Sequence, residues 1–146
     1  MKIFEAIRID HEQQRLLMKI LVETSGNSDS RQKYFAELTA ALANHALAEE
    51  RYFYAPLMES DNTIEASRHA IAEHHELDEL VAKLQETDMS SAAWLTHMKT
   101  LQERVLHHLA EEEQEFFQQA GKVLSSKQKS ELAGQYRAEM EAQNAS

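Results

Sequence analysis

At 146 residues, with three Gly, one Pro and 42% hydrophobic residues, the chain has the length of one domain and the composition of helices rather than loops or β-sheet. Its 15 basic and 25 acidic residues leave a formal charge of −10, which repels nucleic acid and anionic membranes alike. The absence of cysteine removes disulfides, thiolate catalysis, Cys-ligated zinc and iron–sulfur ligation together, and suits a cytoplasmic protein.

The opening MKIFEAIRIDHEQQ carries charges every few residues and no apolar signal-peptide core, and no apolar run is long enough to span a bilayer. Residues 2 to about 23 predict a first helix with Phe4, Ile7, His11, Met18 and Val22 on one stripe. The turn-forming Ser25, Gly26, Asn27 and Ser28 break it. A second helix runs to about residue 58, with Phe35, Leu38, Leu42, His45, Glu49 and Phe53 inward, and Pro56 kinks or closes it. Asn62 with Glu65 forms a capping-box pattern for a third helix. Its stripe is Ile64, Ile71, Leu77, Val81 and Leu84, with His74 at the middle. After a break at Asp88 to Ser91, a fourth helix places Trp94, Met98, Leu101, Val105, His108, Leu109, Glu112 and Phe116 on one face. Ser125 with Gln128 caps a short fifth helix, whose thin stripe of Leu132, Tyr136 and Met140 serves either the bundle or a partner subunit. The expected fold is all-α: an up-down-up-down four-helix bundle over residues 2–120 with a short C-terminal fifth helix at 125–142. That makes residues 1–146 a single domain, either monomer or homodimer.

Each long stripe contains a histidine, and three of the four also contain an acid. Two segments echo one another: HALAEERYFY from His45 and HLAEEEQEFF from His108. In both, Glu stands four and five residues after the His, Phe at plus eight and an aromatic at plus nine. Positions four apart share a helix face, so His45 with Glu49, and His108 with Glu112, each present an imidazole beside a carboxylate. Asp78 follows His74 at the same spacing, near the edge of its stripe. Acid-rich helices also generate such pairs by chance, and His followed by Glu at plus four occurs five times here. The helical wheel turns His107 with Glu111, and His75 with Glu79, toward solvent, and places His69 and His97 off their stripes.

Histidines in a core are usually satisfied by hydrogen bonds, and a polar core is the alternative to a metal site. Depth separates the two. His11, His45 and His74 lie at similar distances from their helix ends, and His108 joins them if the fourth helix overhangs by about a turn. Buried unpaired carboxylates cost several kcal/mol each, and no Lys on these stripes neutralises them, although Arg15 lies near the first. Divalent cations would neutralise such a cluster, and imidazole with carboxylate suits Fe, Mn or Zn.

In Asp10-His11, His45-to-Glu49 with Glu50, Phe53 and Pro56, Glu73-His74, and His108-to-Glu112, the chain resembles the hemerythrin-like, or HHE cation-binding, domains. The resemblance implies a non-haem di-iron centre, two iron ions joined by an oxo or hydroxo group and bridged by Glu49 and Glu112. It further implies His11 and His45 on one iron, His74 and His108 on the other. Oxygen carriers of the family have a fifth His where this chain has Asp78. Asp78 is thus a candidate ligand in its place. Three functions follow as expectations: binding or sensing O₂, NO or iron; an enzyme acting on O₂, peroxide or NO; or a metal-stabilised interaction module. Tyr34 and Tyr52, at the edges of the second stripe, serve redox chemistry or core packing.

Overall fold

The computed structural model describes residues 1–145. Among them the chain is all-helical, with no β-strand. The first helix spans Ile3–Leu21. The second begins at Asp29–Glu49, passes through a π turn at Glu50–Tyr54 and ends with Ala55–Leu57. The third spans Ile64–Glu86. The fourth repeats the pattern of the second, with Ala92–Glu111, a π turn at Glu112–Phe116 and a last stretch Phe117–Val123. The fifth spans Ser126–Ala145.

The punctuation has local causes. Gly26 has φ +62°, in the left-handed region where a Cβ is penalised, and the chain reverses there. Ser28 then caps the second helix by accepting from the Arg31 amide. Arg31 itself is buried, donating to the Thr24 and Met89 carbonyls and lying 4.4 Å over the Trp94 ring. One guanidinium thus fastens both connections at this end of the bundle. Pro56 sits in the closing turn of the second helix, as expected. The third helix departs from expectation: Thr63, not Asn62, precedes it, and the Thr63 hydroxyl donates to the Leu57 carbonyl at 2.5 Å. Ser125 and Gln128 do form reciprocal side-chain-to-amide bonds at the start of the fifth.

The first helix packs on the second and the fourth, and the third packs on the second and the fourth, which closes a four-helix bundle. The fifth helix is longer than expected and lies along the first and second, burying Leu132, Ala133, Tyr136 and Met140 against them. Two apolar layers fill the interior. One gathers Ile3, Ile7, Phe53, Tyr54, Phe116 and Phe117 with the fifth helix; the other gathers Met18, Leu21, Phe35, Trp94, Met98 and Leu101. Between them lies a buried polar layer of His11, Gln14, His45, Glu49, His74, His108 and Glu112.

The depth problem for His108 resolves symmetrically. His45 stands 16 residues into the second helix and His108 16 into the fourth (45 − 29 and 108 − 92). His11 and His74 lie 10 and 12 residues from the ends of theirs (21 − 11 and 86 − 74). The second and fourth helices therefore both reach about a turn further at the Trp94 end.

Candidate metal centre

Each bundle helix sends one buried imidazole into the polar layer. Ring centroids are 5.0 Å apart for His11 and His45 and 4.9 Å for His74 and His108. The carboxylates lie between the two pairs. Glu49 has Oε2 3.4 Å from His45 Nε2 and Oε1 3.0 Å from His74 Nε2. Glu112 has Oε1 3.2 Å from His11 Nε2 and Oε2 3.9 Å from His108 Nε2. Each carboxylate thus offers one oxygen to either pair. The donor atoms form two compact groups, His11, His45, Glu49 and Glu112 in one, and Glu49, His74 and His108 in the other.

The outer ring nitrogens decide what the inner ones present. Tyr136 donates its hydroxyl hydrogen to Asp10, so its oxygen accepts from His45 Nδ1 at 2.5 Å. His11 Nδ1 donates to Glu113 Oε2 at 2.5 Å, and His108 Nδ1 to Glu73 Oε1 at 2.9 Å. Arg15 reaches Glu113 at 3.0 Å, so the cation noticed near the first stripe steadies an outer carboxylate rather than an inner one. With Nδ1 protonated, a neutral ring turns its Nε2 lone pair inward, which is the tautomer a metal ligand needs. His74 differs: Glu50 stands 3.9 Å from its Nδ1, beyond hydrogen-bond reach.

Burial without compensation is visible in the electrostatics. Desolvation opposes charge on His45, yet Glu49 and Asp10 overcome it and raise its pKa to about 10. His74 is raised to about 9 against the same desolvation, by Glu49 and Glu50. Desolvation pushes Glu49 up, but His45, Glu112 and His74 together outweigh it and hold the carboxyl well below the usual carboxylate range. Desolvation and the neighbouring Glu49 charge push Glu112 up instead. Protons alone leave this layer poorly satisfied. His11 Nε2, His45 Nε2, His108 Nε2, both Glu49 oxygens and Glu112 Oε1 are buried without a hydrogen-bond partner. Each such atom costs about 1–3 kcal/mol, and gathering them at one depth is consistent only if something else satisfies them. Nitrogen and oxygen donors in this arrangement fit divalent transition cations.

Six of the seven residues expected to ligate therefore come together. Asp78 does not join them: it is exposed on the rim of a cavity of about 20 Å³ that also touches His45, His74 and Gln14. The third helix buries Ser67, Ala70, His74, Leu77 and Leu84, and this stripe leaves Asp78 on its flank. His75 and His107 face outward beside Glu79 and Glu111, each at 3.4 Å. Tyr34 and Tyr52 pack half-buried on the two apolar layers. The tyrosines at the centre are others. Tyr54, fully buried, donates to Glu112, and its ring centroid is 5.6 Å from that of His74. Its position follows from the π turn, whose wider winding brings both Phe53 and Tyr54 inward. The second π turn does the same for Phe116 and Phe117.

The sequence profile of the hemerythrin HHE cation binding domain matches residues 2–120. The chain belongs to that family. This HHE domain is also 27% identical over 138 residues to a protein of Nostoc sp. named DNA nickase; the match covers 94% of the chain but only 39% of that relative's length. The crystal structure of an HHE cation-binding-domain-containing protein from Mycobacterium kansasii superposes with a TM-score of 0.88. It is 23% identical, and the alignment covers 99% of this chain and 88% of the other. That likeness shows a shared fold. No helix among the described residues is long and apolar enough to cross a membrane.

Proposed function

We propose that this HHE domain holds two iron ions in its polar layer and uses them to bind or sense a small ligand such as O₂ or NO. The observation that carries the reading is the spanning pair of carboxylates. Glu49 and Glu112 each face one imidazole of either histidine pair, and His11 Nε2, His45 Nε2, His108 Nε2, both Glu49 oxygens and Glu112 Oε1 lack a hydrogen-bond partner. His11 and His45 would hold one ion, His74 and His108 the other, with Glu49 and Glu112 shared. Four protein donors per ion are fewer than an octahedral ion takes, which leaves room for a ligand. Bound iron supplies reversible coordination of a diatomic molecule together with electron exchange.

The protein's own groups set the conditions for that chemistry. Glu113, Tyr136 and Glu73 hold three of the rings from outside, so little reorganisation accompanies loading. Apolar layers above and below lower the local dielectric and strengthen the charge interactions within. A nucleic-acid substrate is disfavoured by the formal charge of −10, whatever the activity of the longer cyanobacterial relative. We read residues 1–146 as one functional unit, because Tyr136 of the fifth helix supports His45 of the second.

Tyr54 favours a second reading, an enzyme acting on O₂, peroxide or NO. It places a phenol, able to give up a proton and an electron, against Glu112. The test is to add each small molecule to the anaerobic, ferrous-loaded protein and follow absorbance and consumption together. A reversible spectral change without consumption supports binding. Sustained consumption that Tyr54→Phe reduces supports the enzyme, and no response to any of the three defeats both.

A further inference from the structure

Between the third and fourth helices a cavity of about 280 Å³ opens outward and ends at His108 and Glu112. Its walls carry Glu65, Glu73, Glu111 and Glu115 and no Lys or Arg. At the mouth, His69 Nε2 lies 3.5 Å from Glu73 Oε2 and 3.4 Å from Glu111 Oε1. These three donors are mutually close enough to grip one ion. Glu73 belongs to both ends: its other oxygen accepts from His108 Nδ1. The acidic mouth alone would be ordinary solvated surface. What distinguishes it is the floor, which is closed by buried His108 and Glu112 and where His108 Nε2 has no hydrogen-bond partner.

From this we infer that the cavity is the loading route for divalent cations, with His69, Glu73 and Glu111 as an entry site that captures an ion before it reaches the interior. The inference rests on the two-ion reading above and extends it to residues outside the inner cluster. Size supports the route. Two other cavities that touch His108 measure about 20 and 40 Å³, too small for an ion with part of its water shell. Charge supports it too, since carboxylates lining a cleft with low-dielectric walls concentrate cations and raise their arrival rate. The ion gains Glu73 at the mouth and exchanges it for His108 and Glu112 inside, so it is not stripped of all its ligands in one step.

The test uses the full chain freed of metal by a chelator and mixed anaerobically with cobalt(II) in a stopped-flow instrument. Cobalt absorbance follows entry into the interior, and equilibrium dialysis counts ions at the end. The double variant His69→Ala, Glu111→Gln should fill the interior about 10-fold or more slowly and lose a weak third equivalent, while keeping the final count of two. The pair His75→Ala, Glu79→Gln removes an equivalent exposed contact on the same helix, away from the cavity, and should load like the parent. Unchanged filling by the His69/Glu111 variant, or equal slowing in both variants, overturns the entry site. Absence of interior cobalt in the parent would instead defeat the two-ion reading itself, and the final count shows which has failed.

Discussion

Removing one hydroxyl should weaken one ion and spare its neighbour. Tyr136→Phe leaves the ring in place, with its centroid 6.0 Å from that of His45, so the fifth helix keeps its packing. The acceptor for His45 Nδ1 disappears, and the remaining candidate, Asp10 Oδ2, stands 3.6 Å away. Loss of such an outer partner typically lowers metal affinity by about 10–100-fold, or ~1.4–2.7 kcal/mol. Because Tyr136 touches only the ring paired with His11, the loss should fall on the His11/His45 ion. The His74/His108 ion should change by less than about 3-fold, transmitted through the shared carboxylates. The metal-free variant should also lose about 1–3 kcal/mol of folding stability, since a buried donor is left without its partner. Chelator competition against cobalt(II) resolves the two affinities, and urea melts of the metal-free protein give the stability. Two equal losses, or none, would refute the division of the histidines into those pairs.

Loading should release protons and tighten as pH rises. In the metal-free protein His45 and His74 titrate near 10 and 9, so both carry protons at pH 7 that an incoming ion must displace. A pH-stat or buffer-enthalpy titration should count at least about two protons per fully loaded chain, since the raised His11 and Glu112 can only add to those of His45 and His74. The same raised values stabilise the metal-free fold fully below the unfolded pKa of about 6.5, and that contribution is lost as pH climbs through 9 to 10. Thermal midpoints of the metal-free protein should fall across that window, and the loaded protein should not follow them. Arg31→Met should lower stability by several kcal/mol through the orphaned Thr24 and Met89 carbonyls, with metal stoichiometry unchanged. A lost ion in that variant would show that the Trp94 end and the polar layer are not independent.

The inward histidines and glutamates were legible because they repeat at helical spacing. His45 with Glu49, and His108 with Glu112, stand one turn apart on stripes that also carry Phe53 and Phe116, and the spacing alone faces them inward. Their supporting partners were not legible in the same way. Asp10 and Glu73 each precede a buried histidine, and Glu113 follows a buried glutamate, yet adjacency does not say which ring a side chain will reach. Tyr136 lies 91 residues from His45, so the contact exists only after the fifth helix docks. Its thin stripe gave no means of choosing between bundle and partner. Tyr54 was hidden by the π turn, because a constant 100° per residue places its side chain off the stripe. Asp78 shows what spacing alone leaves open. Its spacing from His74 matches that of Glu49 from His45 and Glu112 from His108, but the third helix stays regular and its apolar stripe passes to one side. The pairing of His69 with Glu73 and Glu111 joins two helices and could not be read from either alone.

The most direct measurement is the number and place of bound ions in protein purified without chelator, by elemental analysis joined to anomalous diffraction. Two ions per chain are expected, both against Glu49 and Glu112, one beside His11 and His45 and one beside His74 and His108. His45→Ala with His108→Ala should abolish them, while His107→Ala should leave both, its ring facing solvent. Metal-free protein with an intact fold, or equal loss on replacing His107, would contradict the account.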